Sequence, residues 1–299
     1  MEKISFYDQI SKNKRDSVLL GILVFSFLIG LVYVIGMTLM PGFSFGILTF
    51  AGIIIILYAY GSYSYGDKVV LAATKARPIN ENDRRYIYLI NVVDGLSIAA
   101  GIPKPKIYVI ESEEMNAFAT GKDPEHSSIA VTTGLLENLK RDELEGVIGH
   151  EMSHIRNYDI RFATYIAVLV GLVAILSDLL MRSFWYGGGR RDKEEKGFGL
   201  LIIVGLVLAI FAPIIVRLIQ FAVSRRREFL ADASSVELTR YPDGLASALE
   251  KIMKVNEGKM KVSEAVSHLF FVDPNKSALD SLYATHPPIK ERIKILRSM

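Results

Sequence analysis

Residues 142–162 read DELEGVIGHEMSHIRNYDIRF. Leu144, Val147, Ile148, Met152 and Ile155 recur at three- and four-residue intervals, the period of one apolar stripe on a helix. Asp142 and Glu143 stand at its start, where the positive end of the helix dipole favours carboxylates. On that helix His150 and His154 project from one face, one turn apart, so two imidazole nitrogens reach a single point. Glu151 lies beside them, placed to deprotonate a metal-activated water without itself binding the metal. The spacing points to a hydrolytic zinc site.

A catalytic zinc needs a third protein ligand and an open position for water. A histidine six residues after His154 would fill the role in one class of zinc protease, but Ile160 stands there and Asn157 replaces the glycine of that pattern. The candidates are then Glu228, His286, His126, His268 and other downstream carboxylates. Glu228 is favoured because Asp232, one helical turn on, is available to hydrogen bond a ligand imidazole. Taken alone, Glu228 beside Arg225, Arg226 and Arg227 is a solvated surface charge.

The composition is 51% hydrophobic yet 22% charged, so the apolar residues must be concentrated. From Ser17 to Gly66 no residue is charged. A membrane helix needs about 20 apolar residues, so this stretch reads as two spans, Val18 to Met40 and Gly46 to Tyr65, around MPGFSFG. The first run is too long for a cleaved signal peptide. Phe162 to Leu180 and Gly197 to Val216 form a second apolar pair, read as membrane-inserted. Lys3, Lys12, Lys14 and Arg15 precede the first hairpin, and Lys68, Lys75, Arg77, Arg84 and Arg85 follow it. This basic excess places both ends, and the histidine motif, in the cytoplasm. With no cysteine, disulfides, thiolate metal sites and cysteine nucleophiles are excluded. A net charge of +3 is too small and dispersed for nucleic acid.

Residues 67–100 read as helical, stopped by Gly101 and the prolines 103 and 105. KIYVIES, NAFATG and SSIAVTTG read as three short strands before the motif helix. An extended peptide could pair with an exposed edge of such a sheet, largely regardless of its side chains. The chain divides into a tail and first hairpin (1–66), a first protease part with the motif helix (67–160), a second hairpin (161–223) and a second protease part (224–299). The fold expected is a mainly α integral membrane protein, four apolar helices plus a cytoplasmic α+β zinc protease domain with a small sheet.

HEMSHIRNYDI, SRRREFLADA and YATHPPIKERI together resemble the signature segments of the HtpX-type membrane zinc endopeptidases, relatives of the CAAX prenyl proteases. NAFATG, IAVTTGLL and HLFFVDP, and the order of the four apolar segments, extend the resemblance over nearly the whole chain. It implies one zinc per chain on His150, His154 and Glu228, with Glu151 as general base. It also implies that Asp232 orients a ligand histidine and that His286 stabilises the oxyanion. Asn116 matches a substrate-proximal position, and Ile129, Val131 and Thr133 a substrate-pairing strand edge. The function implied is cleavage of misfolded or damaged membrane proteins at the cytoplasmic face of the cell membrane. Lipid bilayer, unfolded substrates and other membrane proteases are then its partners. Processing of prenylated tails, or a metal-binding scaffold without hydrolysis, are the competing expectations.

Overall fold

The computed structural model describes residues 44–168, 225–260, 262–275 and 287–299, with positions 15, 19, 22 and 171 besides. Most of the first apolar run, most of the second apolar pair and His286 therefore lie outside the described residues. Helix α1 (Ser44–Ala73) contains the second apolar run and continues past it. Among the described residues no helix is long and apolar enough to cross a membrane.

Residues 67–100 are not one helix. Beyond α1, Lys75 takes a left-handed conformation (φ 56°) and Pro78 drives Arg77 into extended backbone. Arg77–Pro78 is strand β1, and α2 (Ile87–Ala100) begins afresh beyond it. Gly101 does end that helix, at φ 66°, its N–H donating to Ile98 O while Ile102 N–H donates to Ser97 O.

Strands β2 (Lys106–Ile110), β3 (Ala117–Gly121) and β4 (Ser127–Thr132) coincide with the three strand segments read from sequence. The sheet order is β1-β2-β4-β3, with β4 parallel to β2 and antiparallel to β3. This corrects the expected substrate edge. Ile129 and Val131 belong to an interior strand paired on both sides, every residue of which is buried, and Thr133 already opens helix α3 (Thr133–Asn138). The edge on that side of the sheet is β3.

Helix α4 (Arg141–Arg156) carries the histidine motif. Glu143 accepts the Lys140 N–H at 2.6 Å, satisfying the donor at the helix start, and binds Lys251 at 2.7 Å. Leu144, Val147, Ile148, Met152 and Ile155 are all buried, as the stripe requires. At roughly 1.5–3 kcal/mol for each such side chain, this burial fixes the helix in the core. A second helical stretch, α5, covers residues 159–168. Helices α6 (Arg225–Thr239) and α7 (Pro242–Val255) pack on α4, which also meets α2 and β3. Short α8 (Glu264–Ser267) and terminal α9 (Ile289–Leu296) follow, and a 3-10 turn (Pro124–His126) joins β3 to β4.

Two glycines permit the close packing of α4. A Cβ on Gly146 would lie 2.7 Å from Leu245 N, and one on Gly149 2.8 Å from Ser235 Oγ. The Ser235 hydroxyl uses that closeness to donate to Gly146 O at 2.7 Å.

Candidate metal centre

His150 and His154 leave α4 on one face, their ring centroids 4.8 Å apart and nearly perpendicular. Each ring is held through Nδ1 by a carboxylate: His150 by Asp232 Oδ1 at 2.9 Å, His154 by Asp159 Oδ2 at 3.0 Å. With Nδ1 engaged, Nε2 of each is the nitrogen available to a metal. The two Nε2 atoms lie 3.1 Å apart. Glu228, from the first turn of α6, brings Oε2 to 3.6 Å from His150 Nε2 and Oε1 to 3.6 Å from His154 Nε2. These three form a group able to hold one ion, and neither His126 nor His268 joins it.

Zinc fits this arrangement. A tetrahedral ion with bonds of about 2.0–2.1 Å spaces its ligand atoms about 3.3–3.4 Å apart, and the three observed spacings fall on either side of that value. Two nitrogens and one carboxylate form a borderline donor set suited to zinc, and three protein ligands leave a fourth position open. Glu151 is buried and lines the same cavity as the ligands.

Two residues that the sequence reading passed over organise the centre. Arg292, on α9, is fully buried and grips both oxygens of Asp232, through Nε at 2.8 Å and Nη2 at 2.6 Å. Its guanidinium stacks over the Phe271 ring at 4.6 Å, and Nη1 is 3.8 Å from Glu228 Oε2. Burial alone would raise the Asp232 carboxyl; Arg292 and the His150 hydrogen bond outweigh it and hold the group down at about 2. Asp232 is thus an anion at every physiological pH. The signal for Arg292 was its place in sequence. It sits three residues after Ile289 and four before Leu296, the buried positions of α9, where an arginine needs an anionic partner.

Asp159 reaches His154 because the chain turns sharply between α4 and α5, with Tyr158 left-handed at φ 61°. Its other oxygen is 3.7 Å from Arg227, the residue before Glu228. Burial pushes the His154 imidazole down, but the Asp159 hydrogen bond and the Glu228 and Asp159 charges prevail, raising it to about 9. No periodicity marks Asp159, so sequence pattern alone does not find it.

The other expected residues have structural partners. Asn116 is fully buried, its Nδ2 donating to Val272 O at 2.7 Å and its Oδ1 accepting from Val272 N–H at 3.1 Å. Thr133 bonds Ser112 through its hydroxyl. His126 pairs with Asp123, and His268 lies at the metal cavity with Nε2 3.2 Å from Ala163 O.

A sequence profile of Peptidase family M48 matches residues 83–299. The chain is 47% identical to a protease HtpX homolog of Dictyoglomus thermophilum, over 100% of this chain and 96% of that one. It is 45% identical to the homolog of Thermoanaerobacter pseudethanolicus, over 100% and 99%, and 41% identical to that of Streptococcus uberis, over 98% and 99%. Among solved structures, that of S. mikatae Ste24p is similar at 22% identity and a TM-score of 0.49, over 97% of this chain and 65% of that one.

Proposed function

The chain belongs to Peptidase family M48, and from that premise we propose a membrane-bound zinc endopeptidase that cuts unfolded or damaged membrane proteins near the cytoplasmic face. That it is a metalloprotease follows from the family; zinc, the membrane and the substrate class are the proposal. The observation that carries it is the convergence of His150, His154 and Glu228, beside Glu151, in one cavity.

Zinc bound to these three residues would acidify a water to about 7 and polarise the peptide carbonyl. The chain's own residues do the rest. Glu151 takes the water's proton and returns it to the leaving amine. Asp232 and Asp159 hold the two imidazoles in the tautomer that presents Nε2, and Arg292 keeps Asp232 ionised and fixed. His286, three residues before α9, donates to the developing oxyanion.

Membrane attachment rests on the uncharged stretch from Ser17 to Gly66 and on α1. Phe50, Ile53, Leu57 and Tyr60 are each more than half exposed along that helix, a stripe that lipid would cover. The test is metal removal. Purified protein in detergent should cleave unfolded casein, stop on treatment with a chelator and recover with added zinc. Undiminished cleavage after complete removal of the metal would refute the mechanism.

A further inference from the structure

The edge strand nearest the metal is already partly occupied. Asn116 O accepts the Thr132 N–H at 3.0 Å, so it points towards β4. By the alternation of an antiparallel pair, Ala117, Ala119 and Gly121 turn their backbone groups the other way, to the edge. At one end Gly121 N–H donates to the Thr164 hydroxyl at 3.2 Å. At the other, Ala117 O accepts the Phe271 N–H at 2.8 Å, and the Asn116 side chain clamps Val272 through both its N–H and its carbonyl. The Phe270 ring meets the Phe118 ring edge-on at 4.9 Å. The partners are therefore 116 with 272, 117 with 271 and 118 with 270, an antiparallel register.

That register stops short of the metal. Phe270 N–H donates to Ser267 O as the chain turns back into α8, so Ala119, which lines the metal cavity, lies beyond the paired residues. Phe271 lays its ring against His150 at 4.9 Å. Leu269, Phe270 and Phe271 line the metal cavity, of about 60 Å³, beside His150, His154 and Glu228.

We propose that residues 270–272 sit in the register a substrate takes on β3, so that cleavage requires this strap to leave and the site selects extended segments with two successive bulky apolar side chains. The proposal rests on the endopeptidase reading. A strand added to a sheet edge is held by main-chain hydrogen bonds, with alternate side chains read by the surfaces on either face. The two surfaces here are Phe118 on one face and His150 with Arg292 on the other, filled by Phe270 and Phe271. A segment of folded protein cannot offer that edge, whereas an unfolded one can.

The chain has no cysteine, so a tether is a clean test. Ala117 O and Phe271 N–H share one bond, while the Ala117 N–H donates to Asn116 Oδ1 at 3.1 Å; residues facing across antiparallel strands have Cα atoms about 4.5–5.5 Å apart, within the roughly 4.4–6.8 Å that a disulfide spans. In the full-length double variant Ala117→Cys, Phe271→Cys, oxidation should leave zinc content unchanged and stop casein cleavage, and reductant should restore it. In the same pair carrying Glu151→Gln, oxidation should weaken binding of fluorescent casein at least tenfold. Phe270→Ser, which loosens the strap, should tighten casein binding with zinc retained; a packing role alone leaves binding unchanged or weaker. Equal casein binding by oxidised and reduced forms overturns the strap. Reversible binding with no cleavage by either form, or by the parent chain, overturns the endopeptidase reading and leaves the strap standing. Casein cuts with no enrichment for paired large apolar residues overturn the selectivity.

Discussion

Each metal-facing imidazole is backed by its own carboxylate, and the two carboxylates are anchored differently. Asp232 is locked by a buried arginine at hydrogen-bond distance, whereas Asp159 meets Arg227 only at 3.7 Å. Replacing Asp159 by Ala should cost a roughly 10- to 100-fold loss in zinc affinity while leaving the fold intact, measured by competition with a zinc chelator. Arg292→Met should do more, because it strands the Asp232 carboxylate in the core. Breaking such a pair from one side costs about 3–5 kcal/mol, visible as a large drop in thermal midpoint. A midpoint within a degree of the parent would show that Arg292 has no such role. Proton balance gives a further check. His154, raised to about 9 in the metal-free chain, is protonated at pH 7. Its pairing stabilises that chain fully below about 6.5, and the contribution fades as pH rises through about 9. Zinc must displace this proton, so binding at pH 7 should release close to one proton from His154, and affinity should climb up to about pH 9. Calorimetry in buffers of different ionisation enthalpy reads the release. At this scale His150, Glu151, His154, Glu228 and Asp232 were legible from spacing together with resemblance. Asp159 was not, because a left-handed turn brings it home, and Arg292 was quoted within its motif without being read as a buried cation.

Among the elements, α4 is the one on which the sequence spoke most clearly, since apolar periodicity, first-turn acids and motif spacing all agree. What spacing does not reveal is how closely its neighbours approach. Gly146→Ala forces Leu245 of α7 to shift by a few tenths of an ångström or more, against backbone rather than a flexible side-chain tip. Overpacking of this kind costs about 1–3 kcal/mol, and thermal unfolding should register it even though alanine is the better helix former. The three strands were also legible from β-branched and aromatic content. Their order was not: strand composition carries no information on which neighbour a strand chooses. The parallel crossover from β2 to β4 put the 129–133 segment inside the sheet and left β3 at the edge. The break at residues 74–86 came from Pro78 and a left-handed Lys75, local terms that the long apolar pattern on either side concealed.

For the whole molecule, the metal centre gathers residues from both sides of the second apolar pair. His150 and His154 precede it, while Glu228, Asp232 and Arg292 follow. The segments between must return the chain to the side it left, so they cross a membrane twice or not at all. Gly188→Cys, in the loop between the two apolar runs, distinguishes these outcomes by labelling of intact cells with an impermeant maleimide. We expect labelling from outside if the pair spans; labelling only after permeabilisation would place the loop in the cytoplasm. The chemistry is decided more locally than the topology: one glutamate works as a base beside a zinc ion that it does not bind. The most direct measurement of that role is metal content and casein cleavage of Glu151→Gln, side by side with the parent chain. The expected result is one equivalent of zinc in both proteins and a fall in turnover of several orders of magnitude in the variant. Substantial cleavage by a fully metallated Glu151→Gln, or loss of its zinc, would contradict the account.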